Sequence, residues 1–322
     1  MPRISVIIVN YNSGVRLKKC LDHLRAQTVR DFDVVIVDNG SGDGSADLQD
    51  EYREFQFDFA DANLGFAAGC NRGAAAVENE WLAFLNPDAY AAPSWIEAFL
   101  AGVEQYPSID AFGSTQIDAH DPTRIDGAGD VCHGFGLFYR GHTGALLMDL
   151  PPEGEVFSAC GAAAFYRRST FERLGGFDER FFCYGEDVDL GFRLRRSGGR
   201  TVQLSGARVA HEGSAVAGRY SDFAIYHGVR NRIWVFGKNL PLAIYYGAAP
   251  LRFVINMMML ARALFAGYGL AYFRGYRDGI ASVGVIRSTH RRLGAGSHDD
   301  LLMSWSPLKL LTRKANIHPY SE

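Results

Sequence analysis

The stretch EWLAFLNPDA, residues 80–89, decides the fold. Its apolar run from Trp81 to Leu85 reads as a strand buried on both faces. The run ends abruptly on Asn86, Pro87 and Asp88. Proline fixes its own φ and has no N–H, so the chain leaves the strand at a set angle and displays the Asp88 carboxylate. An acid in that place is costly unless something positive meets it.

Working outward, three similar runs precede it: ISVIIVN (4–10), FDVVIVDN (32–39) and FQFDFA (55–60). Helical patterns separate them. GVRLKKCLDHLRAQ (14–27) carries Leu17, Cys20, Leu21 and Leu24 on one side, GSGDGSADLQDEY (40–52) is a turn opening a helix, and GFAAGCNRGAAAV (65–77) is a small-residue helix. Strands alternating with helices predict an α/β, Rossmann-like fold with a mainly parallel sheet flanked by helices. In such sheets ligands bind beyond the carboxyl ends of the strands. NYN (10–12), DNGSGDGS (38–45) and NPDA (86–89) are therefore expected to converge.

Residues 118–152 are rich in Gly, Asp and His and read as a long functional loop, its 118–145 part a candidate for acceptor contact and closure. VFSACGAAAFYRR (156–168) resumes as a strand, STFERLGGF (169–177) is a short helix, and GEDVDLGFRLRRSGG (185–199) is a helix ending at glycines. RTVQLSGARVAHEG (200–213) is a strand and a loop carrying His211.

The formal charge is −3, which gives no case for a nucleic-acid partner, but 14 of the 33 Lys and Arg and only 5 of the 36 Asp and Glu lie from Arg219 onward. That region is helical in period, apolar and basic. Its longest uncharged run, Asn239 to Leu251, has 13 residues, whereas a membrane-spanning helix needs about 20. Two kinds of reading stand: helices lying on the inner face of a membrane with Tyr, Phe and Arg at headgroup level, or a helical subdomain or an interface with another copy in a homo-oligomer. The five cysteines are scattered without a C-x-x-C pair and read as reduced core thiols. PRISVIIVNYN at the start has none of the marks of a signal peptide, so a cytoplasmic location is expected, with peripheral membrane association.

Several acids and one histidine carry two readings each. Asp38, after VVIV and before Asn39 and Gly40, is either a turn residue or a carboxylate that accepts an N–H from a ligand. Asp88 is either a turn or helix-capping residue or the anchor of Mg²⁺ or Mn²⁺ on a diphosphate, which needs only one or two protein carboxylates. Glu186, Asp187 and Asp189 favour a first helical turn, yet three acids in four positions exceed what capping requires. Asp187 is placed to act as a general base, and Asp189 to pair with Arg193 at i+4. His211 is either structural or a further metal ligand.

Together these pieces resemble glycosyltransferase family 2, the inverting transferases of GT-A fold, and within it the rhamnosyltransferase-like branch. The resemblance rests on SVIIVNYN, VDNGSGDGS, NLGFAAGCNRG, FLNPDA, GFDERFFCYGEDVDLGFRLRRSG and HEGS, in that order over residues 4–216. It implies a catalytic domain over 1–218 and a helical, basic C-terminal region over 219–322. It implies that Asp38 binds the N3–H of uracil or thymine, that Val9, Asn10, Tyr11 and Asn12 hold base and ribose, and that Asn63, Gly65 and Asn71 line the nucleotide. Asp88 matches the last acid of an Asp-x-Asp metal motif, with Asn86 in place of the first, and His211 matches a third metal ligand. Asp187 matches the catalytic base, with Glu186 beside it. The implied donor is dTDP-L-rhamnose, with UDP-galactofuranose, UDP-GlcNAc and UDP-glucose as alternatives, and the implied acceptor is a polyprenyl-diphosphate-linked glycan of cell-surface polysaccharide synthesis. A nucleotidyltransferase is disfavoured because no glycine-rich phosphate loop follows the first strand. A non-catalytic nucleotide-sugar-binding module is disfavoured because binding needs no acid placed as a base.

Overall fold

The computed structural model describes residues 4–213, 218, 220–288, 303–305 and 317–320. Strand β1 (Ile4–Asn10) is buried along its whole length. Helix α1 (Val15–Arg25) follows and buries Leu17, Cys20, Leu21 and Leu24, the face its spacing predicts. Strands β2 (Asp33–Asp38) and β3 (Gln56–Phe59) come next, joined through a short 3₁₀ turn at Ser45–Asp50 where a longer helix was expected. Helix α2 (Phe66–Ala75) lies so close to the sheet that a Cβ at Gly73 would stand 2.5 Å from the Ile7 side chain. Strand β4 (Trp81–Leu85) then runs parallel beside β1, with Ile4 opposite Trp81, and every one of its residues is buried.

Beyond Asp88 come β5 (Ala89–Ala91), α3 (Trp95–Gln105) and β6 (Ala111–Asp118). The segment expected as a loop is folded. It holds β7 (Ile125–Gly127) and a hairpin of β8 (Asp130–His133) and β9 (Leu137–Arg140), which pair antiparallel. The strand expected over 156–168 is divided: β10 (Gly154–Val156) ends, the chain turns through Cys160 to Ala162, and β11 (Ala163–Arg167) begins. Helices α4 (Arg168–Leu174) and α5 (Glu186–Arg196) and strand β12 (Thr201–His211) follow.

The main sheet runs in the order β10-β12-β6-β11-β4-β1-β2-β3, with β5 and β7 attached to β12 and β6. Only β11 runs against its two neighbours along the β3-to-β12 path. Its reversal brings the turn at 160–162 to the same edge as the carboxyl ends of β1, β2, β4 and β12. Asn10, Asp38, Asn86–Asp88, Gly161 and His211 therefore share one edge of the sheet.

Four helices follow: α6 (Asp222–Asn239), α7 (Leu242–Gly247), α8 (Ala249–Phe265) and α9 (Gly269–Ser288). The boundary expected after residue 218 falls beside residues 214–217 and 219, outside the described ones, as do Ser214 of the HEGS motif and several tail arginines and lysines. On either side of it the chain shares one hydrophobic cluster, in which Phe181, Val188 and Phe192 pack with Trp234, Val235 and Phe236. A buried ionic knot adds to it: Asp189 accepts from Arg193 Nε at 2.9 Å, Lys238 Nζ at 2.8 Å and Asn239 Nδ2 at 2.8 Å. The expected i+4 pair is thus present and is joined by α6. No described helix is long and apolar enough to cross a membrane. On α8, Phe253, Val254, Met258, Leu264 and Phe265 are exposed, Phe265 by 95%.

Candidate active site

A cavity of about 370 Å³ opens at the carboxyl edge of the sheet. Val9, Tyr11, Asn63, Gly65, Asn86, Asp88, Glu186, Asp187 and His211, all singled out in the sequence, line it. Asp38 stands just behind, buried, where Asn10 Nδ2 donates to Oδ1 at 2.7 Å and the Ser41 N–H donates to Oδ2 at 2.9 Å. An ionised carboxylate has about four lone-pair sites, so these two bonds orient it and leave capacity for a ligand N–H. Asn12, with φ +50°, accepts from the Gly42 N–H at 2.8 Å and fixes the loop that follows Asp38.

At the other wall, Asp187 lies in the first turn of α5. Its Oδ2 accepts from the Gly161 N–H at 2.9 Å and its Oδ1 from the Val188 N–H at 2.8 Å. Burial pushes its carboxyl above the ordinary range, while the two N–H groups and Arg140 oppose the rise. Glu186 is pushed up much further, by burial and then by the charge of Asp187, and its Oε2 has no hydrogen-bond partner. Of the adjacent pair, Asp187, which accepts from two backbone N–H groups, is the better supported as an anion.

Asp88 and His211 meet across the β5–β12 pairing, where Ala89 is opposite His211. His211 Nδ1 lies 2.7 Å from Asp126 Oδ2, which leaves Nε2 aimed at Asp88 Oδ1, 3.4 Å away, without a hydrogen bond of its own. Burial opposes a charge on His211, but Asp126 and Asp88 outweigh it and hold the imidazole above its ordinary value. A ring nitrogen oriented through its partner by a carboxylate, beside a second carboxylate, is the donor set a divalent cation takes. Among the described residues no group of three or more His, Cys, Asp or Glu gathers into a cage. The residues present fit a cation that draws its remaining ligands from phosphate oxygens and water.

Known proteins resemble this chain over much of its length. Residues 5–175 match the family model for glycosyl transferase family 2, and residues 128–293 match that for glycosyl transferase family group 2. An N-acetylglucosaminyl-diphospho-decaprenol L-rhamnosyltransferase of Mycobacterium tuberculosis (strain ATCC 25618 / H37Rv) is 30% identical over 249 residues, covering 70% of this chain and 81% of its own. The chain belongs to glycosyl transferase family 2. That relative places it in the rhamnosyltransferase-like branch of the family. A validoxylamine A glucosyltransferase of Streptomyces hygroscopicus subsp. jinggangensis is 27% identical over 240 residues, covering 62% of this chain and 52% of its own. Among solved structures, GalNAc-T7 with UDP, GalNAc and Mn²⁺ has a TM-score of 0.62 at 15% identity, covering 91% of this chain and 58% of that one. The mannosyltransferase PcManGT from Pyrobaculum calidifontis, with GDP-Man and Mn²⁺, has a TM-score of 0.53 at 16% identity, covering 90% and 88%. These two likenesses show the GT-A-like fold.

For this family 2 chain four expected residues, Asn10, Asn12, Asp38 and Asn71, lie outside the cavity lining, the first three bonded into the loop after β2. Asn71, expected to line the nucleotide, is not in the cavity wall. Its amide donates to the Phe177 carbonyl at 2.8 Å and to Glu179 Oε1 at 3.0 Å, and accepts from the Phe177 N–H at 2.9 Å. All three bonds brace α2 against the segment before α5.

Other residues enter the wall unannounced. Arg140 on β9 faces it, bonded to Asp126 and, at 3.0 Å, to Gln116 Oε1. Asp130 on β8 accepts from Ser158 Oγ at 2.8 Å, and burial followed by the charge of Asp187 pushes its carboxyl well up. Phe182 and Tyr184 line the mouth with φ of +65° and +74°. A hairpin reading of VCHGFGLFYR, two apolar runs around a Gly-flanked turn, was the signal that could have placed Asp130 and Arg140.

Proposed function

We propose that the chain is an inverting glycosyltransferase that moves a sugar, L-rhamnose from dTDP-L-rhamnose first among donors, to a hydroxyl of a polyprenyl-diphosphate-linked glycan. The observation that carries this reading is Asp187, held by two backbone N–H groups in the wall of a cavity that also contains the Asp88–His211 pair. The donor's nucleobase lies against Tyr11 and offers its N3–H to Asp38, with Val9, Asn12, Asn63, Gly65 and Asn86 shaping the slot around base, ribose and sugar. The acceptor hydroxyl approaches from the Asp187 side. Its oxygen bonds to the anomeric carbon as its proton passes to Asp187, a transfer typically worth ~10²–10⁴-fold in rate. The bond from the anomeric carbon to the diphosphate oxygen breaks at the opposite face, and the electron pair leaves with the nucleoside diphosphate. One displacement inverts the configuration and needs no covalent glycosyl-enzyme. Arg140 supplies fixed positive charge to the same wall. Asp88 and His211 would hold Mg²⁺ or Mn²⁺, which when bound supplies Lewis-acid neutralisation of the leaving diphosphate.

The exposed apolar side chains of α8, together with Arg262 and the arginines of α9, support a peripheral position on the anionic inner leaflet, where each basic residue near the surface is worth about 1 kcal/mol. A lipid-linked acceptor would be met there. The test is a transfer assay of the full chain with dTDP-L-rhamnose, UDP-galactofuranose, UDP-GlcNAc and UDP-glucose against a GlcNAc-diphospho-polyprenol analogue. Turnover with dTDP-L-rhamnose above the other three is expected. Preference for a UDP-sugar overturns the donor assignment, and turnover with none overturns the transferase reading.

A further inference from the structure

The backbone leading into α5 is held in a conformation that side chains rarely adopt. Phe182, Tyr184 and Gly185 have φ of +65°, +74° and +84°, in the left-handed region that favours glycine and is strained for aromatic residues. Such a turn persists only when its surroundings fix it. Its carbonyls converge on one side chain, Asn231 of α6, which is wholly buried. Asn231 Nδ2 donates to the carbonyls of Phe181 at 2.9 Å, Cys183 at 2.8 Å and Tyr184 at 2.8 Å. The Asn231 Oδ1 in turn accepts from Arg230 Nε at 2.9 Å, and Arg230 Nη2 adds a bond to the Phe181 carbonyl at 3.1 Å. The remaining carbonyl, that of Phe182, faces α2 and accepts from the Ala67 N–H at 3.2 Å.

Three carbonyl dipoles aimed at one point repel each other unless positive charge stands between them, and here the two N–H groups of Asn231 are shared among the three oxygens. Asparagine supplies two N–H groups on one nitrogen, and its acceptor end is turned away toward Arg230. The last gathered residue, Tyr184, lies three positions before Asp187, with Gly185 and Glu186 between them. A slackened turn therefore rotates the first turn of α5 and moves Asp187 out of line with Gly161. It also moves the rings of Phe182 and Tyr184, which sit at the mouth of the cavity with Phe223, also of α6.

We propose that Asn231 is a positioning residue for the general base, so that α6 belongs to the catalytic apparatus as well as to the C-terminal helical region. This rests on the reading of Asp187 as the base. The test uses the full chain with Asn231→Ala, Asn231→Ser and Asn231→Asp, measuring kcat, donor KM, the pH dependence of kcat and the thermal shift on adding dTDP with Mg²⁺. The alanine variant is expected to lose about 10²-fold in kcat, the scale at which a misplacement of 1 Å acts. Serine, keeping one donor, should lose less, and aspartate, an acceptor facing three acceptors, should lose more. Donor KM and the dTDP shift should stay within threefold of the parent, and the acid limb of the kcat profile should move. Values of kcat within twofold of the parent in all folded variants overturn the proposal. So does a loss of kcat that merely follows a loss of folded protein and of the dTDP shift. Asp187→Asn is assayed beside them. If it turns over like the parent, the base assignment itself fails, whereas an inactive Asp187→Asn with unimpaired Asn231 variants removes only the present inference.

Discussion

The two walls of the cavity are built in different ways. The donor wall is made of the ends of β1, β2 and β4, regular strands whose side chains follow one another within a few residues: Asn10 after β1's apolar run, Asp38 at the end of β2, Asp88 after Pro87. The base wall is assembled from a hairpin at 130–140, a turn at 160–162, a strained turn at 182–185 and an amide from Asn231. The first wall would stand as part of any sheet of this order. The second exists only if distant segments all arrive, and it stores backbone strain of roughly 1–3 kcal/mol per strained residue. On the proposed reading, binding falls to the rigid side and proton transfer to the conditional one.

The largest effect that would sharpen this contrast is metal removal. EDTA is expected to abolish transfer and Mg²⁺ or Mn²⁺ to restore it, while the fold, followed by circular dichroism, stays unchanged. Full activity in chelator would remove Asp88 and His211 from that role. Next comes Asp187→Asn, with kcat lower by ~10²–10⁴-fold and dTDP binding retained. Asp187 is surrounded by Glu186, Asp130, Arg140, Cys160, Tyr166 and Cys183, and burial sets the direction of its shift, upward. A base must be ionised, so kcat is present above the raised value and lost as pH falls through it. The acid limb should therefore lie above the usual carboxylate range of about 4, and a limb at or below it would contradict the burial.

Smaller effects test the join between the walls. Lys238→Ala leaves Asp189 and Asp178 short of a buried cation, and breaking such a pair costs about 3–5 kcal/mol. A drop of that size in urea unfolding is expected, and a change below 1 kcal/mol would show that Arg193 and Asn239 suffice. Gly65→Ala is the mildest. A Cβ there would stand 2.6 Å from the Phe182 ring and 2.7 Å from its carbonyl oxygen, at φ +86°. Overpacking of this kind costs about 1–3 kcal/mol, and both donor KM and kcat should worsen together, whereas a change in KM alone would separate the walls.

The same division explains what the sequence disclosed. Local periodicity reports burial, and it found the strands at 4–10, 32–39 and 81–85, the α1 face and the Asn86–Pro87–Asp88 turn. It does not report strand direction, so the reversal of β11 was hidden in an apolar run that looked continuous. Glycine and aspartate richness at 118–152 looked like a loop because the hairpin's strands are only four residues each. Asn71 lay in the right motif and beside the right helix, yet which side of α2 it occupies is a tertiary fact. Asn231 could not be found at all, since one asparagine in a helix carries no mark of carbonyls gathered some 50 positions earlier.

Helix α6 also bears on how such chains can be recombined. A fragment ending at residue 213 would retain every carboxylate of the cavity and would still present Phe181, Val188 and Phe192 to water. Exchange of C-terminal helices between relatives should therefore succeed only when the 181–185 turn travels with them, and drift at position 231 should be tolerated only alongside drift in that turn. On that inference the turn and its helix, two pieces far apart in sequence, would have to be inherited together.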